Sequence, residues 1–250
     1  MGKVVGIIPA RYASTRLPGK ALENILGVPM IKRVYDACLQ SDILDSVHVA
    51  TEDERIADTV RAFGGQIIMT SPAHASSTDR LAEAIEGLEA DIVVNIQGDY
   101  PYLDPLMIRE CVEPLIEDAS LPMSTLMRNL SNPTDLHNPD VVKIVVNLKG
   151  DAMYFSRALL PFPRGYRAHG VCEHIGIFAF QREFLAEFST LTPTPLEQVE
   201  RLEQLRALEH GYRIRVTLTQ CADSVLAGFS VDTAEDLDRL EEMLEKRGIH

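Results

Sequence analysis

A cluster of three cations follows the first apolar run of the chain. The run Val4–Pro9 is continuous and hydrophobic, which predicts a strand buried in a parallel sheet. Arg11, Arg16 and Lys20 come next, and the residues between them, Ser14 included, are mostly small or turn-forming. Backbone amides can therefore approach phosphate oxygens whose charge the cations neutralise. In open α/β sheets, ligands bind outside the carboxyl ends of the strands, where this loop falls; a solvated basic loop is the alternative interpretation.

The loop matches neither of two common phosphate-binding signatures. It contains no G-x-G-x-x-G and no G-x-x-x-x-G-K-[ST] motif. A dinucleotide-binding domain and a P-loop ATPase therefore lose their main support.

Two aspartates are candidates for binding a divalent cation. Asp99 follows an apolar run, behind a glycine that lets a ligand approach, at the carboxyl end of a predicted central strand. Asp232 precedes the last amphipathic helix, where we predict that it is the N-cap; its second oxygen can still bind a metal. Because an acidic protein that binds a triphosphate must bring Mg²⁺ to it, we expect both aspartates to hold Mg²⁺. For Asp99, an ordinary turn position is the alternative.

The helix predicted after residue 75 opens with polar side chains. Ser76 and Asp79 have the spacing of a capping box. Ser77, Thr78 and Arg80 could also present hydroxyls, amides and a guanidinium to a base or ribose. The sequence allows both interpretations, and a well-capped helix is the simpler one.

Three residues in the second half of the chain are candidates for binding a ligand. Arg157 precedes an apolar run, and a partly buried arginine needs an anionic partner. His174 lies on an apolar strand and is either a core histidine or a group that binds a hydroxyl. Glu203 falls within the apolar face of a helix predicted over residues 195–211. An ion pair with Arg206 and substrate binding both stay open for Glu203.

The order of the predicted elements indicates an α/β fold. Strands and helices alternate along the first hundred residues, which predicts a parallel sheet covered on both faces. After Pro122, strands follow one another without helices, which predicts an added antiparallel segment that walls one side of the site. We therefore predict one domain over residues 1–250, in which roughly residues 122–180 form a subdomain.

Composition and charge exclude several classes of partner. The chain has 250 residues, 46% of them hydrophobic, and a formal net charge of -13, which argues against binding nucleic acid or an anionic membrane. Its apolar segments are too short to cross a bilayer, so we expect no membrane insertion. The four cysteines contain no C-x-x-C pair, which indicates neither a zinc site nor a disulfide framework and fits the reducing cytoplasm.

Several segments together resemble one family. They are IPARYASTRLPGKAL, the turn Gln97 to Asp99, HIGIF with LEQLRALEHG, and VDTAEDL. With NPDVVKIV and YFSRALLPF, they occur in the order and at the separations found in the CMP-Kdo synthetases, the 3-deoxy-manno-octulosonate cytidylyltransferases. The resemblance extends over nearly the whole chain.

The resemblance implies a fold and a reaction. The fold is a three-layer α/β nucleotidyltransferase (Rossmann-like) fold with a mostly parallel sheet, and the assembly is a homodimer. In the reaction, the anomeric hydroxyl of 3-deoxy-manno-octulosonate (Kdo) attacks the α-phosphate of CTP. Pyrophosphate leaves with Mg²⁺ as cofactor, and the activated sugar enters lipopolysaccharide synthesis.

The resemblance also implies roles for individual residues. The expected catalytic residues are Lys20, Arg11, Asp99 and Asp232, and the two aspartates hold the metal. The expected nucleotide-binding residues are Ala10, Arg11, Ser14, Arg16, Lys20, Ser77, Thr78, Arg80 and Gln97. The expected sugar-binding residues are Arg157, His174, Glu203 and Gln204.

The chain departs from the family pattern at a few positions, which leaves alternatives for the substrate. Tyr100 follows Asp99 where the family usually has Glu, Phe178 stands where Tyr is usual, and SSTDR replaces SGTER. The 8-amino-3,8-dideoxy analogue of Kdo and sialic-acid-type sugars stay open as substrates. A nucleotide-binding regulator without turnover is the alternative of a different class, and the two candidate metal-binding aspartates count against it.

Overall fold

The apolar run at the start of the chain forms a central strand. The computed structural model describes residues 2–14, 16–74, 76–165 and 170–249. In it, β1 (Val4–Pro9) pairs in parallel with β4 (Ser46–Thr51) on one side and β6 (Ile92–Asn95) on the other. The first five residues of β1 are all buried, which explains why its sequence shows no alternation of polar and apolar residues.

The chain divides into two units. One unit is Met1–Arg109 with Gln220–His250, and the other is Glu110–Thr219, which includes the predicted subdomain at 122–180. The remaining elements up to residue 117 are β2 (Asn24–Ile25), β3 (Val28–Pro29), α1 (Met30–Leu39), α2 (Glu54–Ala62), β5 (Ile67–Met69), α3 (Ser77–Ala84) and α4 (Pro105–Glu117). Those that follow are β7 (Met123–Asn129), β8 (Lys143–Val146), β9 (Ala152–Ser156), β10 (Cys172–Gln181), α5 (Arg182–Phe188), α6 (Pro195–Glu200), α7 (Gln204–Glu209), β11 (Ile214–Leu218), α8 (Ser224–Ala227) and α9 (Ala234–Glu245).

The sheet of the first unit is parallel, with the strand order β6-β1-β4-β5. Ile7 of β1 lies opposite His48 of β4 and Asn95 of β6, so the carboxyl ends of these strands meet at one edge. A small antiparallel pair, β2 with β3, follows the cationic loop. The predicted α/β fold with a mostly parallel sheet is confirmed.

Side chains cap the starts of α2 and α3. Asp53 accepts a hydrogen bond from the amide of Arg55 at the start of α2. At the start of α3, Ser76 and Asp79 form the predicted capping box.

The last helix buries its apolar face against residues that follow the first loop. Leu240 and Leu244 of α9 share one buried cluster with Ile25, Met30 and Val231. This packing fixes the segment just before α9 beside the start of the chain.

The N-cap of α9 is not the predicted residue. The hydroxyl of Thr233 accepts from the amide of Asp236, and the Asp236 carboxylate accepts from the amide of Thr233. The prediction that Asp232 is the N-cap is therefore wrong, because a threonine one residue later supplies the same kind of oxygen. The Asp232 side chain is left for another role.

The second unit contains the predicted antiparallel segment. Strand β10 pairs antiparallel with β7 and β8, and β8 pairs antiparallel with β9. Strand β11 pairs with β7 in parallel. Strand β9 lies in a stretch that the sequence indicated to be rich in turns and aromatic residues.

The single helix predicted over 195–211 is two shorter helices. Arg201 has a φ of 56° and ends α6, and α7 starts three residues later. Leu196 and Val199 are consequently exposed, while Leu202 and Leu205 are buried. The predicted continuous apolar face is therefore wrong, because a left-handed residue changes the direction of the chain within it.

Within the described residues, no helix is both long enough and apolar enough to cross a membrane.

Candidate active site

Lys20 contacts two carboxylates from distant parts of the first unit. Its Nζ lies 2.7 Å from Oδ2 of Asp99 and 2.8 Å from Oδ1 of Asp232. Nη2 of Arg16 lies 3.0 Å from the same Asp232 oxygen. The structure therefore brings together four charged residues that the sequence placed in three separate segments.

A tight turn of the cationic loop positions Lys20. The carbonyl of Tyr12 accepts from the amides of Ser14 and Gly19, both at 2.8 Å. Gly19 has a φ of 73°, and a Cβ there would lie 3.0 Å from the Tyr12 ring. A short 3-10 helix, Lys20–Leu22, starts directly after this glycine and presents Lys20 to the carboxylates.

Asp99 and Asp232 are held together through the backbone as well. Asp99 follows β6 across Gly98, and its carbonyl accepts from the amide of Val231 at 2.9 Å. Val231 is fully buried in the cluster under α9, so Asp232 comes from a fixed backbone. The amide of Asp232 donates to Asp236, which leaves the Asp232 carboxylate to face Lys20 and Arg16.

Electrostatics keep Lys20 protonated. Burial by itself lowers the pKa of Lys20, but the charges of Asp99 and Asp232 and their hydrogen bonds outweigh burial, and the net shift is upward. Two cations, Lys20 and Arg16, thus face two carboxylates. The cluster is close to neutral overall.

The carboxylate pair fits a magnesium ion that is shared with phosphates. Asp99 and Asp232 both reach the position of Lys20 Nζ, and carboxylate oxygens are ligands that Mg²⁺ prefers. Within the described residues, no group of three or more His, Cys, Asp or Glu side chains could hold a metal. A site with two carboxylates suits Mg²⁺, which usually completes its shell with water and substrate phosphates.

The remaining candidates in and beside the cationic loop are Ala10, Arg11 and Ser14. Arg11 is exposed, and Ser14 is half-buried. Ala10 is buried, and its amide donates to the carbonyl of Ala50 at the end of β4.

The candidates for binding the nucleoside lie at the start of α3 and the end of β6. Nδ2 of Asn95, a fully buried residue, donates to the hydroxyl of Ser77 at 3.4 Å. Nε2 of Gln97 donates to Oδ1 of Asn95 at the same distance. Thr78 is fully buried. The structure therefore joins Ser77 and Gln97 through Asn95, which the sequence had not singled out.

Arg80 has partners inside the protein. It is buried, and its Nη1 lies 2.6 Å from Oε2 of Glu52 and 2.5 Å from the hydroxyl of Thr70. The sequence missed Glu52, although an acidic residue directly after a central strand is a detectable signal. The predicted contact of Arg80 with a nucleotide stays a prediction.

In the second unit, His174 makes a side-chain hydrogen bond and two ring contacts. Its Nε2 lies 2.8 Å from the hydroxyl of Thr125, and its ring packs against Phe155 and Phe178. Desolvation lowers the pKa of His174 to about 3, so the ring is neutral near pH 7. A neutral imidazole can accept from or donate to a hydroxyl.

The Arg157 side chain is held by backbone carbonyls. Nε donates to the carbonyl of Glu200 and Nη1 to that of Pro139, both at 2.8 Å. Within the described residues, no ion pair of this guanidinium with a carboxylate is found. The sequence predicted an anionic partner for Arg157. An anion such as a sugar carboxylate would supply that negative charge.

Glu203 and Gln204 lie where α7 begins. Glu203 is half-buried just before the helix, and Gln204 is buried as its first residue. An ion pair with Arg206 was one of the two alternatives for Glu203. Arg206 forms an ion pair with Glu197 of α6, with Nη2 2.5 Å from Oε1. The break at Arg201 makes this pairing possible, because it lets α6 and α7 pack on each other.

Comparison with known proteins relates the chain to enzymes. A family model described as cytidylyltransferase matches residues 5–214. The chain is 46% identical over 255 residues to 3-deoxy-manno-octulosonate cytidylyltransferase from Geobacter metallireducens, covering 98% of each chain. It is 48% identical over 247 residues to the enzyme of that name from Syntrophotalea carbinolica, covering 95% of this chain and 97% of the relative.

The chain belongs to the 3-deoxy-manno-octulosonate cytidylyltransferases, a branch of the cytidylyltransferase family. The family resemblance inferred from the motifs is thereby confirmed. A solved structure of CMP:2-keto-3-deoxy-manno-octonic acid synthetase complexed with CTP has the same fold, with a TM-score of 0.91 and 40% identity. The match covers 98% of this chain and 99% of that one.

A more distant structure shares the fold alone. The 4-diphosphocytidyl-2C-methyl-D-erythritol synthase from Anaerococcus prevotii matches with a TM-score of 0.63 at 13% identity. It covers 97% of this chain and 98% of its own. The α/β nucleotidyltransferase fold therefore persists where little sequence is shared.

Proposed function

We propose that this chain transfers CMP from CTP to the anomeric hydroxyl of Kdo and releases pyrophosphate. The activated sugar would serve lipopolysaccharide synthesis. The observation that carries the proposal is the convergence of Lys20, Asp99 and Asp232 at a cationic loop. The 46% identity to a relative named for this activity supports it over nearly the full length.

In the proposed reaction, the anomeric oxygen attacks the α-phosphorus of CTP. The bond from that phosphorus to the oxygen bridging toward the β-phosphate breaks, pyrophosphate leaves, and the hydroxyl proton passes to water. Such transfers depend mainly on positioning and on neutralising phosphate charge. Arg11, Arg16 and Lys20 supply the positive charge, and Ser14 shapes the loop that carries it.

We propose that Asp99 and Asp232 hold Mg²⁺ in the reaction. When bound, Mg²⁺ neutralises phosphate charge and lowers the pKa of a nearby hydroxyl. Because Lys20 contacts both carboxylates, Lys20 has to give up at least part of these contacts when they bind a metal. Its charge is then available to the phosphates.

We further propose that the two substrates are recognised by separate sets of residues. The cytidine set is Ala10, Ser77, Thr78, Arg80 and Gln97. The sugar-acid set is Arg157, His174, Glu203 and Gln204. The absence of a carboxylate partner for Arg157 within the described residues favours a substrate with a carboxylate.

The homodimer and the cytoplasmic location implied by the resemblance also belong to this proposal. The acidic net charge of -13 favours a role away from nucleic acid and anionic membranes.

Pyrophosphate release tests the function. The purified chain is incubated with Mg²⁺, with each of CTP, UTP, ATP and GTP, and with each of Kdo, its 8-amino-3,8-dideoxy analogue and sialic acid. We expect turnover with CTP and Kdo to exceed all other pairs. A higher rate with another acid would change the substrate but keep the reaction. Tight CTP binding without turnover with any acid would favour the alternative function, a nucleotide-binding regulator.

A further inference from the structure

A fully buried lysine in the second unit has no role in the proposed reaction. Lys143, the first residue of β8, is 0% exposed and is among the largest fully buried side chains of the described residues. A buried lysine is rare unless its charge is compensated. The groups that surround Lys143 must therefore compensate its charge.

The ammonium group of Lys143 is bound by three backbone carbonyls. Nζ lies 2.5 Å from the carbonyl oxygen of Asn138, 2.8 Å from that of Val141 and 3.3 Å from that of Arg157. An ammonium group has three N–H bonds, so these three acceptors satisfy it. Desolvation lowers the pKa of Lys143, and the charges of Glu173 and Asp135 oppose that shift.

The carbonyls that bind Lys143 come from a segment that holds the Arg157 side chain and from Arg157 itself. One segment, residues 138–141, includes Pro139, whose carbonyl accepts from Nη1 of Arg157. The other acceptor is the carbonyl of Arg157 itself. Lys143 therefore ties the backbone of Arg157 to the turn that orients its guanidinium.

Glu200 binds both the backbone amide and the side chain of Arg157. Its carboxylate accepts from the amide of Arg157 at 2.9 Å and from the hydroxyl of Ser156 at 2.6 Å. Its carbonyl accepts from Nε of Arg157. The amide and carbonyl of Arg157, and two of its guanidinium nitrogens, are thus all bound by one connected set of residues.

We infer that Lys143 and Glu200 are positioning residues that set the Arg157 guanidinium for the carboxylate of the sugar acid. Because both act through Arg157, they should affect the sugar acid and leave CTP binding unchanged. The second guanidinium nitrogen, Nη2, and the remaining N–H of Nη1 are the donors that a planar carboxylate can bind in parallel. This inference rests on the proposed function, since Arg157 meets a sugar acid only if that function holds.

A double-mutant cycle tests the inference. Lys143→Met keeps an unbranched side chain of similar length and removes the three donors. We expect it to raise the KM for the sugar acid about tenfold, which corresponds to roughly 1.4 kcal/mol. In an Arg157→Lys background, the same substitution should add less than about threefold, because the residue through which it acts has already changed.

Two controls separate positioning from general stability. Lys149→Met makes the same change at an exposed lysine of the same unit and should leave the KM unaltered. CTP binding, measured by calorimetry without sugar acid, should match the wild type in every variant. If Lys143→Met does not fold, Glu200→Gln supplies the same cycle. Glu200 is half-buried, and glutamine keeps the shape of its side chain.

The outcomes distinguish this inference from the proposed function. An equal rise in KM in both backgrounds, or a parallel loss of CTP binding, would overturn the positioning role. Absence of pyrophosphate release by the wild type with any sugar acid would instead overturn the proposed function.

Discussion

At the scale of single residues, Lys20 and a divalent cation require the same oxygens. Nζ of Lys20 lies within 2.8 Å of one oxygen from each of Asp99 and Asp232. An ammonium group and Mg²⁺ cannot both occupy a position so close to the two carboxylates, since like charges repel. Lys20 should therefore weaken metal binding by the free protein while it supports the reaction with CTP.

Lys20→Met should separate these two effects. We expect the variant to bind Mn²⁺ about tenfold more tightly without nucleotide, because ~1.4 kcal/mol of competition is removed. Pyrophosphate release at saturating CTP should fall roughly 10²- to 10³-fold, as when a preorganised charge is lost from a transition state. Titration of free Mn²⁺ by electron paramagnetic resonance measures the first effect.

Lys32→Met is the matched control for Lys20→Met. Lys32 pairs with Asp36 on α1, so its loss removes one charge without touching the candidate metal site. Unchanged Mn²⁺ affinity in Lys20→Met would show that Lys20 does not compete with the metal.

Asp232 and Thr233 are neighbours with different expected roles. Because Thr233 is the N-cap of α9, Thr233→Ala should lower the free energy of unfolding by about 1 kcal/mol. Asp232→Asn should change stability little but should strongly reduce Mg²⁺-dependent turnover, because an amide cannot supply the charge that holds a hard cation. Urea unfolding and pyrophosphate release measure the two effects. Full activity in Asp232→Asn would exclude it as a metal ligand.

His174 should make stability depend on pH. The pKa of His174 is lowered to about 3 in the folded protein, whereas an unfolded histidine titrates near 6.5. As pH falls, the unfolded state therefore binds the proton before the folded state does. The contribution of His174 to the free energy of unfolding is complete above about pH 6.5 and is lost as pH falls toward 3.

A comparison with His174→Phe isolates that contribution. The free energy of unfolding of the wild type should fall more steeply between pH 7 and pH 5 than that of the variant, measured in urea. Thr125 keeps acceptors in the carbonyls of Ile175 and Ile177, so its hydroxyl stays satisfied in the variant. Parallel pH profiles would indicate that the ring is not desolvated.

At the scale of elements, the break between α6 and α7 is a feature of the backbone. Arg201 has a φ of 56°, a conformation that costs an L-residue roughly 1–2 kcal/mol and costs glycine little. The two helices on either side of it are joined by the ion pair between Glu197 and Arg206, whose side chains are largely buried. The left-handed residue is thus a condition for that pairing.

Substitutions at Arg201 should follow backbone preference. We expect Arg201→Gly to match or exceed the wild type in free energy of unfolding, and Arg201→Val to lose about 1–2 kcal/mol. Urea unfolding of both variants provides the measurement. Arg213→Val is the control, because Arg213 is an exposed arginine of the same unit. Equal losses for Gly and Val would mean that the Arg201 side chain matters more than its backbone.

At the scale of the whole molecule, exposed apolar side chains favour association. Leu148, in the turn between β8 and β9, is fully exposed, and Met153 of β9 is largely so. Proteins that remain monomeric seldom expose large apolar clusters. We expect sedimentation equilibrium to give a mass near twice the 27.8 kDa of the chain.

The two exposed residues provide the variant for the test of association. Leu148→Glu combined with Met153→Glu should shift the mass toward that of one chain, because a buried charge opposes the interface. Val225→Glu, at an exposed apolar residue of the first unit, is the control. A mass of one chain for the wild type would contradict the homodimer.

The sequence by itself determined the features that depend on local pattern. The apolar run at Val4–Pro9, the alternation of strands and helices and the capping box at Ser76 predicted the elements and the α/β class, because burial and hydrogen bonding impose a period on the residues. Motifs in a fixed order predicted the family. They also placed Lys20, Asp99 and Asp232 among the candidates before any distance was known.

Tertiary structure alone decided which of these residues meet and what each side chain binds. Lys20 contacts Asp232 only because α9 packs beside the first loop, a contact between residues 212 positions apart that no local pattern contains. Arg80 pairs with Glu52 inside the protein, a partner 28 positions away that no local pattern indicated. The N-cap at Thr233 and the break at Arg201 were missed because neighbouring residues with similar propensities compete, and packing selects among them. The charge of a side chain is written in the sequence, whereas its partner is set by the packing of distant segments.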